Sequence, residues 1–133
     1  MTINTNTRHW LIIFCLIFAG EMIFSLPFHI PRFFRPTFLE VFSLTNAEIG
    51  DLFATYGIFA TLAYFPGGLL ADHFSPRKLM TWSLLATAFG GLVLAQIPGY
   101  WGLGLIFAFW GLTTILMFWA ALIKITREWG GEK

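Results

Sequence analysis

Apolar residues run along this chain in four long blocks separated by short polar stretches. The blocks cover roughly residues 10–30, 47–71, 79–97 and 101–123, each near the length of about twenty residues that a helix needs to cross bilayer hydrocarbon. No segment alternates apolar and polar positions as a half-buried strand does. The pattern predicts an all-α, polytopic membrane protein, with residues 1–133 forming a single membrane domain of four transmembrane helices.

The separators carry local signals. Thr45-Asn46-Ala47-Glu48 reads as a capping box at the start of the second block, where a Thr hydroxyl and a Glu carboxylate satisfy free backbone amides. Asp51 adds negative charge at the same helix start, which the dipole favours. Asp72-His73-Phe74-Ser75-Pro76-Arg77-Lys78 separates the second block from the third, and Pro98-Gly99-Tyr100 predicts a tight turn before the fourth. Within the first block, Pro27 and Pro31 lack backbone donors and predict an interruption of the helix. In the second, Gly50, Ala54, Gly57, Thr61 and Gly68 recur on one helical face, which predicts close approach by another helix.

Composition moves the solvent from water to lipid. Of the 133 residues, 57% are hydrophobic and only 11% charged, against about 25% charged in soluble domains. So small a globule cannot hide that much apolar surface. The 16 Phe and 6 Trp suit acyl chains and the headgroup boundary respectively. The 8 basic residues are scattered and form no stripe, which excludes a nucleic-acid partner. Cys15 is the single cysteine, has no internal disulfide partner, and reads as a small hydrophobe. The polar start, Met1 to Thr7, precedes an apolar block too long for a signal peptide, so an uncleaved first span is expected.

With four spans, both termini and the middle loop share one side. That side holds Arg8, Arg77, Lys78, Lys124, Arg127 and Lys133, against Arg32 and Arg35 on the other. Basic residues stay in the cytoplasm, so both termini and the Asp72–Lys78 hairpin are expected there, in a multi-pass protein of a bacterial inner membrane.

Glu21 lies near the middle of the first block. A charged side chain at that depth costs about 2.5–3.5 kcal/mol for Asp on insertion scales, so it should face a partner or water. It is a candidate proton-coupling group or ligand for a cationic part of a substrate; the structural alternative is a protonated carboxyl bonded to a neighbouring helix. Ser25, Arg32 and Arg35 follow on the same helical face. The two arginines sit where topology gives no reason for them and are candidates to attract an anionic substrate; headgroup contact or pairing with Glu40 competes with that reading. His29 reads as structural. Trp110, Thr113, Thr114 and Trp119 either line an amphipathic pocket or serve packing. No nucleotide-binding Gly-Lys-Ser/Thr loop, metal-spaced His/Cys cluster or nucleophile–base pair is present. An enzyme is therefore not expected, and no cofactor or metal.

Gly68-Leu69-Leu70-Ala71-Asp72-His73-Phe74-Ser75-Pro76-Arg77-Lys78 resembles the signature between helices two and three of the major facilitator superfamily. Gly68, Ala71, Asp72, Arg77 and Lys78 match in type and spacing. His73 and Ser75 stand where the family has Arg and Gly. The resemblance implies a secondary carrier of a small solute working by alternating access, built from two six-helix halves, and a hairpin that latches those halves on the cytoplasmic side. Asp72 ends a helix, where the dipole disfavours a carboxylate, so a nearby cation is expected: Arg77, Lys78 or Arg127. Four spans make the first part of such a fold, and its remaining helices would come from further sequence or another copy. A complete four-helix small multidrug exporter acting as a dimer is the competing transport reading, and a non-transporting remnant or accessory protein the third.

Overall fold

The computed structural model describes the backbone of residues 5–130 and the side chains of residues 6–128; Lys133 and the Trp129 side chain lie outside them. The described residues are almost entirely helical: α1 (Thr5–Ile23), a π-helical turn (Ser25–His29), α2 (Ile30–Phe33), α3 (Arg35–Val41), α4 (Asn46–His73), α5 (Pro76–Leu94), α6 (Tyr100–Gly111), a π-helical stretch (Leu112–Trp119) and α7 (Ala120–Gly130). No strand occurs among the described residues.

Two rods are long and apolar enough to span a membrane by themselves: α4, and the run from Tyr100 to Glu128. The first expected span is a bent pair, Asn6–Ile23 and Ser25–Phe33, meeting at 41°. The break lies at Phe24, ahead of both prolines. Pro27 has no N–H for the carbonyl of Ile23, and the chain widens instead, with the Phe28 and His29 amides both donating to the Phe24 carbonyl at 3.0 and 3.3 Å. The third expected span, α5, has 19 residues, about 28 Å at the helical rise. It falls short of the other rods in hydropathy because Arg77 and Lys78 occupy its first turn.

The α4 capping box forms as predicted. The Thr45 amide donates to Glu48 Oε2 at 2.7 Å, and the Glu48 amide donates to Thr45 Oγ1 at 3.2 Å. Near the same end, Tyr100 Oη donates to Asp51 Oδ2 at 3.3 Å and ties the start of α6 to α4.

The fourth span is the centre of the bundle. Leu103, Phe107, Trp110, Phe118 and Ala121 are fully buried along it, and it packs on both α4 and α5. One apolar cluster joins Leu52, Tyr56, Phe107 and Trp110; a second joins Ile23, Leu79, Met80 and Phe118. Between them lies a buried polar seam. Trp110 Nε1 donates to the Thr87 carbonyl at 3.0 Å, Ser83 Oγ donates to the Thr113 carbonyl at 2.6 Å, Thr87 and Thr113 hydroxyls pair at 2.9 Å, and Tyr56 Oη pairs with Thr114 Oγ1 at 2.6 Å. The Thr113 and Thr114 hydroxyls also donate to the Trp110 carbonyl at 3.3 and 2.6 Å. The widened π turns thus have their carbonyls satisfied by side chains. No buried side-chain polar atom lacks a partner among the described residues.

The small-residue face predicted on α4 is not the face that packs. Gly50, Gly57 and Gly68 have open space where a Cβ would stand. The buried face of α4 is Ile49, Leu52, Tyr56, Ala60, Ala63 and Gly67, and the residue that permits close approach belongs to the other helix. A Cβ on Gly111 would lie 2.6 Å from the Tyr56 carbonyl oxygen and 3.1 Å from the Ala60 nitrogen. Those are backbone atoms that cannot rotate away.

Gly111→Ala should therefore cost about 1–3 kcal/mol, read as a lower unfolding temperature in detergent. Gly104→Ala, with no atom within 4 Å of the new methyl, should not lower it. Ser83→Ala should cost less than Gly111→Ala, about 0.6–1.7 kcal/mol for one interhelical hydrogen bond. Equal unfolding temperatures for the two glycine variants would contradict the close crossing.

Candidate functional site

The bend in the first span opens a cavity of about 630 Å³ between that span and α4. Glu21, at the last turn of α1, stands at one end, and Arg32 and Arg35, on α2 and α3, line the other. Phe24, Phe28, His29 and Phe53 complete the wall. The predicted face thus survives the break: a spacing of three or four residues keeps 21, 24, 28, 32 and 35 on one side. Ser25 is the exception. Its hydroxyl donates to the Glu21 carbonyl at 3.3 Å, a local back-bond that keeps it off the cavity wall.

The aromatic wall is built on Phe28. Its ring stacks on Phe53 at 5.6 Å with 2° between the planes, and meets Tyr56 edge-on at 4.7 Å. The His29 ring lies 5.8 Å from Phe33. Arg35 turns to Asn46. Its Nε and Nη2 both donate to Asn46 Oδ1, at 3.1 and 2.9 Å. A neutral acceptor orients the guanidinium without cancelling its charge. The lining therefore carries two guanidiniums and one carboxylate, an excess of positive charge beside stacked rings. Asn46 and the three phenylalanines were not singled out in the sequence. Asn46 was hidden inside the capping-box motif, and the rings inside a general abundance of Phe.

The predicted hairpin motif divides between two places. Gly68 and Asp72 line a second cavity, of about 460 Å³, with Trp119, Lys124, Arg127 and Glu128. Arg127, the candidate charge partner, lines the same cavity as Asp72. The cation that meets the end of α4 is Lys124, whose Nζ donates to the Ala71 carbonyl at 2.7 Å. Its charge suits the negative end of the helix dipole. The sequence marked Lys124 only as a topology signal, because nothing local announces a contact 53 residues back along the chain. Arg77 points elsewhere, into a third cavity with Arg8 and Cys15, and Lys78 is exposed. Of the four span-four candidates, Trp110, Thr113 and Thr114 are buried in the polar seam, so packing accounts for them. Trp119 lines the Asp72 cavity.

Comparison with known proteins agrees with this architecture. Residues 10–133 match the family described as Major Facilitator Superfamily. The inner membrane protein YihN of Escherichia coli is 32% identical over 126 residues, which is 95% of this chain and 30% of that protein. The inner membrane protein YqcE of Escherichia coli is 33% identical over 98 residues, 74% of this chain and 23% of that protein. A protein of Mycoplasma pneumoniae is 31% identical over 80 residues, 60% of this chain and 62% of its own length. The matched stretch thus spans 23% and 30% of the length of the two Escherichia coli relatives. No solved structure matches. By the match across nearly its whole length, this chain belongs to the Major Facilitator Superfamily, a family of membrane transporters.

Proposed function

We propose that this chain forms the opening spans of a secondary carrier in a bacterial inner membrane, with the cavity from Glu21 to Arg35 as its part of the substrate path. One observation carries the reading: a mid-span carboxylate and two guanidiniums share one cavity with stacked aromatic rings. Charged groups inside a span mark substrate or ion paths. In this reading Arg32 and Arg35 draw an anionic group to the cavity mouth, the rings hold the apolar remainder, and Glu21 couples transport to a cation. The family match over residues 10–133 supports a carrier over a four-helix small exporter, and both Escherichia coli relatives bear the name inner membrane protein. The α5 helix serves as the third span, its Arg77 and Lys78 at the cytoplasmic boundary. The hairpin from Asp72 to Lys78 then faces the cytoplasm and switches with the transport cycle.

In proteoliposomes holding the complete transporter, Glu21→Gln should reduce uptake driven by a proton gradient at least tenfold, while insertion and substrate counterflow persist. Undiminished gradient-driven uptake would remove the coupling role. Asp72→Asn should slow turnover several-fold and leave substrate affinity within about twofold. Ser75→Cys, in a Cys15→Ala background, should react with an impermeant maleimide only in inside-out vesicles. Reaction in right-side-out vesicles would reverse the orientation.

A further inference from the structure

A third cavity, of about 510 Å³, lies between α1 and α5, with Ile125 of α7 at its floor. Among the described residues α1 stands apart from α4–α7. Ile23 is the one fully buried side chain on α1 among its described residues, while Trp10, Phe14, Ile17 and Phe18 are more than half exposed. The lining divides by chemistry. Arg8 from the first turns of α1 and Arg77 from the first turn of α5 stand at one end; Leu16, Met80 and Ile125 line the apolar remainder. The lining contains no carboxylate among the described residues. The guanidiniums come from two different helices and line the same cavity.

Depth identifies the anion. Trp10 and Trp82 are 72% and 63% exposed and lie two and five residues beyond the two arginines. Exposed tryptophans of a membrane helix sit at the headgroup level, which places the arginine end there and the apolar end among acyl chains. A ligand matching this arrangement has a phosphate at the interface and hydrocarbon running from it. Guanidinium is suited to phosphate in geometry as well as charge, and basic pockets between transmembrane helices hold anionic headgroups.

We propose that the groove between α1 and α5 is a binding site for an anionic phospholipid, its phosphate bridged by Arg8 and Arg77 and its acyl chain lying along Leu16 and Met80. The site is separate from the Glu21 cavity and does not rest on the transport reading.

The test is retention of lipid by the purified protein, exchanged into detergent with equal amounts of phosphatidylglycerol and phosphatidylcholine and read by native mass spectrometry. Wild type should retain phosphatidylglycerol in preference, on the order of tenfold. Arg8→Gln with Arg77→Gln should abolish the preference, and the paired Arg→Lys variant should keep most of it, which separates charge from loss of folding. Cys15 lines the same groove. Its reaction with an apolar maleimide should be slowed by phosphatidylglycerol several-fold in wild type and not in the Gln pair. Equal retention of the two lipids by wild type would overturn the proposal. So would an undiminished preference in the Gln pair, or a Cys15 that is unreactive whatever lipid is present, since another helix would then fill the groove.

Discussion

Hydrocarbon offers no water to take up a hydrogen bond that the protein leaves open, and the arrangement of the spans follows from that constraint. A helix satisfies its own backbone until it meets a residue that cannot donate or a turn that widens. The fourth span widens over Leu112–Trp119, and the carbonyls of Trp110, just before that stretch, and of Thr113, within it, are met by hydroxyls from Thr113, Thr114 and Ser83. Because Ser83 and Thr87 belong to α5 and Tyr56 to α4, satisfying the fourth span fixes both neighbours around it. Each bond contributes only about 0.6 kcal/mol in a membrane. The energy of close packing comes from contacts such as Gly111 against Tyr56 and Ala60; the hydroxyls decide which register that packing adopts.

The first span stands outside this seam, and the candidate cavity lies where it departs. Phe28 connects the two. Its ring forms the cavity wall against Phe53 and also meets Tyr56, whose hydroxyl is bonded to Thr114. A ligand that displaces Phe28 therefore presses on a residue held in the buried seam. That contact is one route from the Glu21 cavity into the core of the bundle; a second runs from Phe53, whose ring meets the buried Phe107 edge-on at 5.8 Å.

Much of the architecture was legible because lipid simplifies the code. Block length gave the helices, the capping box gave the start of α4, and spacing put Glu21, Arg32 and Arg35 on one wall. What escaped was relational. A small-residue stripe records that a helix can be approached, not by which partner: Gly50, Gly57 and Gly68 lie on a face that no described helix covers, while Gly111 makes the close contact with α4. Ser25 shares the spacing of the cavity residues, but a hydroxyl can turn back to its own helix, and it does. Proline marked the kink near Phe24 without fixing its place, because the widened turn forms on the side where the missing donor leaves a carbonyl free.

Lys124 shows the same limit and changes how the hairpin should be understood. With about 42 Å of helical rise, α4 exceeds the hydrocarbon thickness, and a cation from a neighbouring element is bonded near each of its ends: Arg35 to Asn46 at the start and Lys124 to the Ala71 carbonyl at the finish. The ammonium of Lys124 meets the helix's own negative end, which the dipole favours in any conformation that preserves α4. Asp72 is disfavoured by that same end and shares its cavity with Lys124, Arg127 and Glu128. The two cations therefore have different work. Lys124 ties the end of α4 to α7, and in the proposed carrier the Asp72–Arg127 side is the place where a change of charge would act on the hairpin without breaking that bond.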